Sequence, residues 1–199
     1  MSGNVVLKAE PRPGRGKEAA KHLRKQGDLP AVVYGEDSAS VVCSVNRKAL
    51  EDILHAEGRN AIVSLVVGND EGDEQTTIIK ELQRHPFRGG ILHVDFQRIS
   101  LTQKITVEVA VAALGIPVGV RQDGGVLEHM LHSMEIECLP TQIPDKIEVD
   151  VSALVIGDTV HVEDITVDEG LRIVTEGDRS VFVVVPPTVV QEPEEEEEE

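Results

Sequence analysis

The stretch KAEPRPGRGKEAAKHLRKQGDLPAVVY, residues 8–34, contains the sharpest changes of local pattern in the chain. It overlaps an apolar segment, residues 4–9, that predicts a strand, and it continues into a loop because closely spaced prolines and glycines cannot extend a strand. Helix-forming residues fill Lys17–Gln26, and Gly27 is placed as a C-terminal stop. Leu29–Tyr34 predicts a strand, with Pro30 near its start. The stretch therefore predicts a strand, a loop, a short helix and a second strand.

The same stretch is basic in an acidic protein. Between Lys8 and Lys25 seven residues are basic and two are acidic, although the whole chain has a formal charge of -17. Such a cluster is typical of a docking surface for a polyanion, and the alternative is a solvated helix face without a ligand. Four of the cations share one face of the predicted helix by their spacing of three and four: Lys17, Lys21, Arg24 and Lys25.

The rest of the first half alternates strands with one more helix. Asn46 is a predicted N-cap for a helix over residues 47–57, which has an apolar stripe and ends at Gly58. Residues 61–67 and 76–82 flank a polar turn and predict a hairpin. Further strands are predicted at residues 41–45 and 91–98. We therefore expect residues 1–98 to form a partly closed antiparallel β-barrel with two short helices.

The last of these strands, ILHVDFQR over residues 91–98, alternates in polarity. Leu92, Val94 and Phe96 are predicted to face the core, which places His93 and Asp95 together on the outer face. The pair is a candidate for ligand recognition. The alternative is that the two side chains simply pair with each other on an exposed strand.

The second half carries the whole charge excess, with 22 acidic and 5 basic residues after position 98. Alternating segments at residues 105–113, 126–138 and 146–151, with shorter ones beyond, predict an all-β domain over residues 99–187. The intervening loop GIPVGVRQDGG, residues 115–125, is predicted to lack regular structure. Residues 188–199 end in a glutamate run and predict a disordered acidic tail. The fold class is therefore mainly β.

Enzymatic chemistry finds little support in the sequence. Gly14–Ala19 imitates the G-x-G-x-x-A dinucleotide fingerprint, but antiparallel hairpins follow it instead of repeated βαβ units. His129 and His132, with Cys138 beyond, form a weak zinc signal because no second close pair accompanies them. We therefore predict a protein without catalytic residues, metal or cofactor. Two cysteines and no apolar leader favour a cytoplasmic protein without a membrane segment.

RNA binding fits the remaining features better. Clustered Lys and Arg neutralise phosphates, whereas recognition of RNA shape or bases needs amide, phenol, imidazole or carboxylate groups. An aspartate beside a polyanion is repelled unless it accepts hydrogen bonds from base amino or imino groups. The groups that meet this description are Tyr34, Gln83, His85, His93 and Asp95.

Two motifs, AEPRPGRGKEAAKHLRKQGDLPAVVYG and QRHPFRGGILHVDFQR, resemble the N-terminal domain of a family of bacterial large-subunit ribosomal proteins, number twenty-five of the L series. The continuation from residue 115 to residue 165 resembles the second domain of the longer, CTC or general-stress-protein form. The resemblance covers roughly residues 4–187 and implies a non-catalytic β-barrel that binds the loop E region of 5S rRNA on its minor-groove side. The motif positions that match are Arg12, Lys17, Lys21, Arg24, Tyr34, Gln83, His93 and Asp95.

The chain departs from the family pattern on the basic helix. Many members have a Ser-Arg-Arg-like run where this chain has Ala20, Lys21 and His22, which puts one phosphate contact and one hydroxyl contact in doubt. The resemblance implies 5S rRNA and the large ribosomal subunit, including neighbouring ribosomal proteins, as partners. We expect a monomer off the ribosome. The second domain is acidic, so we expect it to contact proteins or to face outward on the ribosome. Deleting residues 99–199 should therefore leave 5S rRNA affinity nearly intact. A cytosolic stress protein that acts through protein partners is the alternative function.

Overall fold

The structure, a computed structural model, describes residues 5–12, 14, 16–35, 39–68, 74–168 and 170–187. The predicted tail at 188–199, most of the turn at 68–74 and Arg15 lie outside the described residues. The elements of the first half are β1 (Val5–Pro11), α1 (Lys17–Gln26), β2 (Asp28–Tyr34), β3 (Val41–Asn46), α2 (Arg47–Glu57), β4 (Ile62–Val67), β5 (Glu74–Arg84) and β6 (Ile91–Arg98).

Both helices begin and end where the sequence predicts. The side-chain Oδ1 of Asn46 accepts a hydrogen bond from the Ala49 N–H at 3.2 Å, which satisfies one of the free donors at the start of α2. Gly27 ends α1 in the left-handed conformation, with φ of 95°, and its N–H donates to the Leu23 carbonyl. Helix α2 buries Leu50 and Ile53, while α1 buries no residue and leaves its basic side in solvent.

Strands β1–β6 close into a barrel in the order β1-β3-β2-β6-β5-β4. The prediction of a mainly β fold with an N-terminal barrel is confirmed, and two details differ from it. The ring is fully closed, and the β1–β4 and β2–β6 pairs are parallel, so the barrel is not purely antiparallel. Alternation along one strand cannot reveal these pairings, because they join segments far apart in sequence. Closure leaves this part of the sheet without an unpaired edge.

The barrel interior is filled by small and branched apolar side chains. Cys43 lies among them, fully buried, and burial raises the pKa of its thiol to about 11, so this cysteine is an inert core residue. The buried core residues are Leu7, Ala9, Leu29, Ala31, Val33, Cys43, Val45, Leu50, Ile53, Ala61, Val63, Leu65, Ile79, Ile91, Val94 and Phe96.

Two β-bulges interrupt the pairing of β5 with β6. The register passes from Ile79 to Glu81 opposite consecutive residues of β6, and Leu92 is the extra residue on β6 between the Gln83–His93 and Arg84–Ile91 pairs. The second bulge corrects the predicted alternation. Ile91 is in the core and Leu92 is only partly buried, because the extra residue reverses which side chains face inward.

The remaining elements are β7 (Ile105–Leu114), α3 (Val118–Arg121), β8 (Val126–His129), β9 (Ser133–Cys138), β10 (Lys146–Asp150), β11 (Thr159–His161), β12 (Arg172–Ile173) and β13 (Ser180–Val185), with 3₁₀ turns at Pro140–Gln142 and Val162–Asp164. The strands among them form two small sheets, of order β10-β7-β9-β12 and β11-β13-β8. The loop predicted at residues 115–125 contains one helical turn, α3, because Pro117 is tolerated just before a helix start. The strand structure predicted within residues 126–138 consists of two strands separated by residues 130–132.

The described residues form two compact units. One comprises the described residues up to Val109, then Glu135–Asp145 and the described part of Glu169–Ile173; the other comprises Ala110–Met134, Lys146–Asp168 and the described residues from Val174 onward. The division into domains 1–98 and 99–187 remains a prediction. No helix among the described residues combines the length and apolar character needed to cross a lipid bilayer.

Candidate nucleic-acid interface

Helix α1 presents a row of ammonium groups to solvent. Lys17, Lys21 and Lys25 are all exposed and recur every four residues, which keeps them on one side of the helix. Together with Glu18 and His22 they line a surface depression of about 420 Å³. Three cations and one carboxylate around a shallow surface give a positive field suited to phosphate oxygens.

Arg12 and Arg24, two of the predicted phosphate ligands, are partly used inside the fold. The Nε of Arg12 donates to the Cys43 carbonyl at 3.0 Å, and its Nη1 donates to the Gly14 carbonyl at 3.3 Å. These bonds hold the loop before α1 against β3. Arg12 therefore positions the basic loop while its remaining guanidinium N–H groups can still reach a ligand.

Arg24 connects α1 to the bulge in β6. Its Nη1 donates to the carbonyl of Leu92 at 3.1 Å, the residue that the bulge takes out of the ladder. The carbonyl of Arg24 in turn accepts a hydrogen bond from Nη2 of Arg47 at 3.3 Å. The basic helix is thereby fixed beside the start of the strand that carries His93 and Asp95.

A polar strip runs across three neighbouring strands of the barrel. Asp95 is in register with Val32 on β2 and with Glu81 on β5, and His93 is in register with Gln83. The structure thus brings together Tyr34, Gln83, His93 and Asp95, which lie on strands separated by as many as 61 residues of sequence. Parallel pairing of β2 with β6 brings Tyr34 close to Asp95, whose charge acts on the phenol.

His93 and Asp95 contact each other through one ring nitrogen and one carboxylate oxygen. The Nδ1 of His93 lies 2.6 Å from Oδ1 of Asp95, and the two side chains are 23% and 24% exposed. The alternative of mutual pairing is therefore correct for these two atoms. The other polar atoms of the pair, Nε2 of His93 and Oδ2 of Asp95, are the ones available to a ligand. Pairing at Nδ1 fixes the imidazole orientation, which makes the strip a preorganised surface.

Glu81 belongs to the strip, although the sequence analysis did not select it. It accepts a hydrogen bond from Nε2 of Gln83 at 3.2 Å. Burial, followed by the charges of Asp95 and Glu81, raises the pKa of Tyr34, so its phenol remains a hydrogen-bond donor at neutral pH. Glu81 follows the first bulge, which is why simple alternation along β5 does not reveal the side it faces.

The chain matches two family models in succession. Residues 7–96 match the Ribosomal L25p family, and residues 104–188 match Ribosomal protein TL5, C-terminal domain. Large ribosomal subunit protein bL25 of Desulforudis audaxviator is 42% identical over 92% of this chain and 87% of its own length. The bL25 protein of Moorella thermoacetica is 41% identical over 90% of this chain and 86% of its own length.

The chain belongs to the bL25 family. The succession of the two matches identifies the long, two-domain form predicted from the sequence. The family is structural and not enzymatic, so the prediction of a non-enzyme is confirmed, and a bacterial ribosomal protein works in the cytoplasm. The alternative of a stress protein acting mainly through protein partners is not favoured by these relatives.

The structure also bears on two other functions that the sequence suggests for this bL25 chain, dinucleotide binding and zinc binding. The glycine loop leads into a barrel in which β3 lies between β1 and β2, an arrangement unlike a dinucleotide-binding unit. His129 stacks on His132 at 4.2 Å and on Phe182 at 4.4 Å between ring centroids. Among the described residues, no group of three His, Cys, Asp or Glu side chains is arranged to hold a metal ion.

His85 differs from the other predicted site residues because its ring organises a loop. Its Nδ1 accepts hydrogen bonds from the backbone N–H groups of Phe87 and Arg88, each at 3.3 Å. An accepting Nδ1 leaves the proton of the neutral ring on Nε2. His85 therefore shapes the β5–β6 connection, and only its outer nitrogen is free to contact a ligand.

Arg98 is a further organising residue that the sequence analysis missed. It is only 7% exposed, and its Nε donates to Oε1 of Gln75 at 2.7 Å. Its Nη1 donates to the carbonyls of Gly35 and Ala39 at 3.4 and 3.3 Å. The signal was present in the sequence, since Arg98 has the same parity on β6 as the core residues Val94 and Phe96.

Proposed function

We propose that this large-subunit ribosomal protein binds 5S rRNA at its loop E region through the barrel face formed by α1 and the polar strip. The observation that carries the proposal is the junction of the two surfaces at the hydrogen bond from Arg24 to Leu92. This bond fixes a cationic helix next to the strand that carries His93 and Asp95. The resemblance of both N-terminal motifs to the bL25 family supports the identity of the RNA.

The two surfaces supply different parts of RNA recognition. Lys17, Lys21 and the free N–H groups of Arg24 neutralise phosphates and supply most of the attraction. The strip offers groups that read a wide, shallow minor groove or an irregular helix. The Tyr34 phenol can donate a hydrogen bond, the Asp95 carboxylate can accept one, and the Gln83 amide can donate and accept.

Asp95 is the residue whose presence argues most for base recognition. A carboxylate close to phosphates raises the energy of the complex unless it accepts a hydrogen bond from a base. Its pairing with His93 offsets part of its charge when the imidazole is protonated, and its Oδ2 remains available as an acceptor. A general polyanion surface would not require a carboxylate there.

The test is a binding titration of the full chain against 5S rRNA and against an unrelated structured RNA of similar length. We expect tight binding to 5S rRNA and markedly weaker binding to the second RNA, both weakening with salt. Equal affinity for both RNAs would contradict specific recognition. An absence of 5S rRNA binding would contradict the proposal as a whole.

The acidic second domain is proposed to contact protein or to face outward from the ribosome, since its charge opposes phosphate binding. We further infer that residues 1–98 contain the RNA-binding domain and that the protein is a monomer off the ribosome. Sedimentation equilibrium of the purified chain tests the last statement, and a dimer mass would contradict it.

A further inference from the structure

The β5–β6 connection presents an aromatic ring to solvent. Phe87 is 93% exposed, whereas the other two phenylalanines of the chain, Phe96 and Phe182, are 0% and 1% exposed. Its ring has one aromatic neighbour, His85, at 6.3 Å between centroids. Burying a phenylalanine side chain is favourable relative to leaving it in water. The free protein does not gain this energy, so it is available to a partner.

The loop that carries the ring is held in one conformation. Its ends are joined by a hydrogen bond from the His85 N–H to the Gly90 carbonyl, and the Gly89 N–H donates back to the His85 carbonyl, both at 2.8 Å. Gly89 has a φ of 66°, in the left-handed region that glycine adopts easily. The bonds to Nδ1 of His85 fix the backbone at Phe87 itself. The ring is therefore presented on a preorganised support, which lowers the entropy lost on binding.

The surroundings of the ring are cationic. Arg84 and Arg88 flank it and are exposed, and the segment from residue 84 to residue 90 contains no acidic residue in a chain of formal charge -17. A protein-docking patch would need neighbouring apolar surface. Among the described residues, none of the other exposed large apolar side chains lies on α1, β5 or β6. A lone exposed ring, in a segment with two exposed arginines and no carboxylate, fits a base flanked by phosphates better than it fits an apolar protein surface.

The loop also adjoins the surface proposed to bind RNA. Arg84 follows Gln83 directly, and Gln83 is in register with His93 of the polar strip. The Leu92 carbonyl, which anchors α1 through Arg24, lies two residues beyond Gly90. A strand of RNA held by α1 and the strip therefore has its continuation within reach of Phe87.

We propose that Phe87 is a stacking site for an unpaired RNA base, with Arg84 and Arg88 binding the flanking phosphates. This inference rests on the proposed function and adds a contact to it. Stacking on an aromatic side chain contributes about 1–3 kcal/mol per base, is tolerant of base identity and requires that the base be unpaired. The site extends recognition from the groove of a helix to a neighbouring single-stranded or bulged nucleotide.

The chain contains no tryptophan, which permits a direct optical test. Phe87→Trp introduces a single tryptophan, whose emission can be excited selectively over that of Tyr34 and is quenched when a base stacks on it. We expect quenching by 5S rRNA and, at low salt, by an unstructured RNA oligonucleotide, but not by a fully paired duplex of the same charge. Phe87→Leu keeps an apolar side chain and removes the aromatic face, and it should weaken 5S rRNA binding about 5- to 150-fold.

Leu101→Ala is the matched control, because Leu101 is exposed and lies outside this loop; it should leave the affinity unchanged. Since Phe87 is exposed, thermal unfolding of Phe87→Leu should match that of the wild type. Binding of 5S rRNA by Phe87→Leu within twofold of wild type, or unquenched emission in a saturated complex, would overturn the inference. If the wild type fails to bind 5S rRNA, the proposed function is lost, and quenching or its absence with the unstructured oligonucleotide then decides the stacking site separately.

Discussion

Replacing Arg24 with alanine tests whether a cation on α1 serves the fold as well as the ligand. The guanidinium donates to the Leu92 carbonyl at 3.1 Å, and the bulge leaves that carbonyl outside the ladder with β5. The neighbouring Lys21 is exposed on the same helix. Arg24→Ala and Lys21→Ala therefore remove one positive charge each, but only the first removes a bond to the barrel.

The size of the effect follows from the type of bond. A hydrogen bond from a charged donor contributes about 1.5–3 kcal/mol. Arg24 and Leu92 are both half-buried, so water can replace the donor in part and the lower end of the range applies. We expect Arg24→Ala to reduce the free energy of unfolding by about 1.5 kcal/mol, and Lys21→Ala to change it by less than about 0.5 kcal/mol.

The assay combines urea unfolding with RNA binding measured over a range of salt concentrations. Lys21→Ala should make the negative slope of log affinity against log salt shallower by about one unit without changing stability. Arg24→Lys keeps the charge but loses the planar fork, so it should retain most of the salt slope and only part of the stability. An Arg24→Ala protein as stable as the wild type would refute the anchoring of α1 through the bulge.

Three further outcomes are expected. Asp95→Ala should lower the preference for 5S rRNA over an unrelated RNA about tenfold in competition binding, and an unchanged preference would show that Asp95 takes no part in recognition. The same variant should have a lower pKa at Tyr34, the chain's single tyrosine, because the Asp95 charge raises that pKa. Burial and the adjacent His132 lower the pKa of His129 below its usual 6.5. The unfolded chain therefore binds this proton more tightly, and the free energy of unfolding should fall as pH drops below about 6.5. His129→Gln should show a smaller fall than the wild type, and an equal fall would contradict the role of His129. A chain ending at Gln103 should bind 5S rRNA within about threefold of the full chain, and a loss beyond tenfold would assign part of the interface to the second domain.

Local sequence signals predict the helices and several strands of the barrel closely. Lys17–Gln26 and Arg47–Glu57 are helical over the predicted ranges, because capping and stop residues mark their ends in the sequence. β6 has the predicted limits of residues 91–98. These features depend on interactions between residues a few positions apart, which a single sequence displays.

Features that depend on distant segments are not visible in this way. The parallel β2–β6 pair, which places Tyr34 beside Asp95, joins residues that no local pattern connects. The bulge at Leu92 inverts the inward-facing side of β6 at its start. Arg24 looks like a free cation in the sequence, yet its guanidinium bonds to that bulge. The sequence shows which residues are charged or polar, whereas the hydrogen bonds that their side chains donate to backbone carbonyls are seen only in the folded structure.

Closure of the barrel has a consequence for protein synthesis. β1 is made first but pairs with β3 and β4, and β2 reaches its parallel partner only when β6 has been made. Because these pairings span much of the domain, the nascent chain gains little by folding early. Arg24 has no Leu92 carbonyl to bind until 68 more residues have been added, and Tyr34 has no Asp95 beside it until 61 more have been added. The complete face that we propose to bind RNA therefore forms only after the last strand of the barrel has been synthesised, so a partly made chain lacks the surface proposed to discriminate among the RNAs around it.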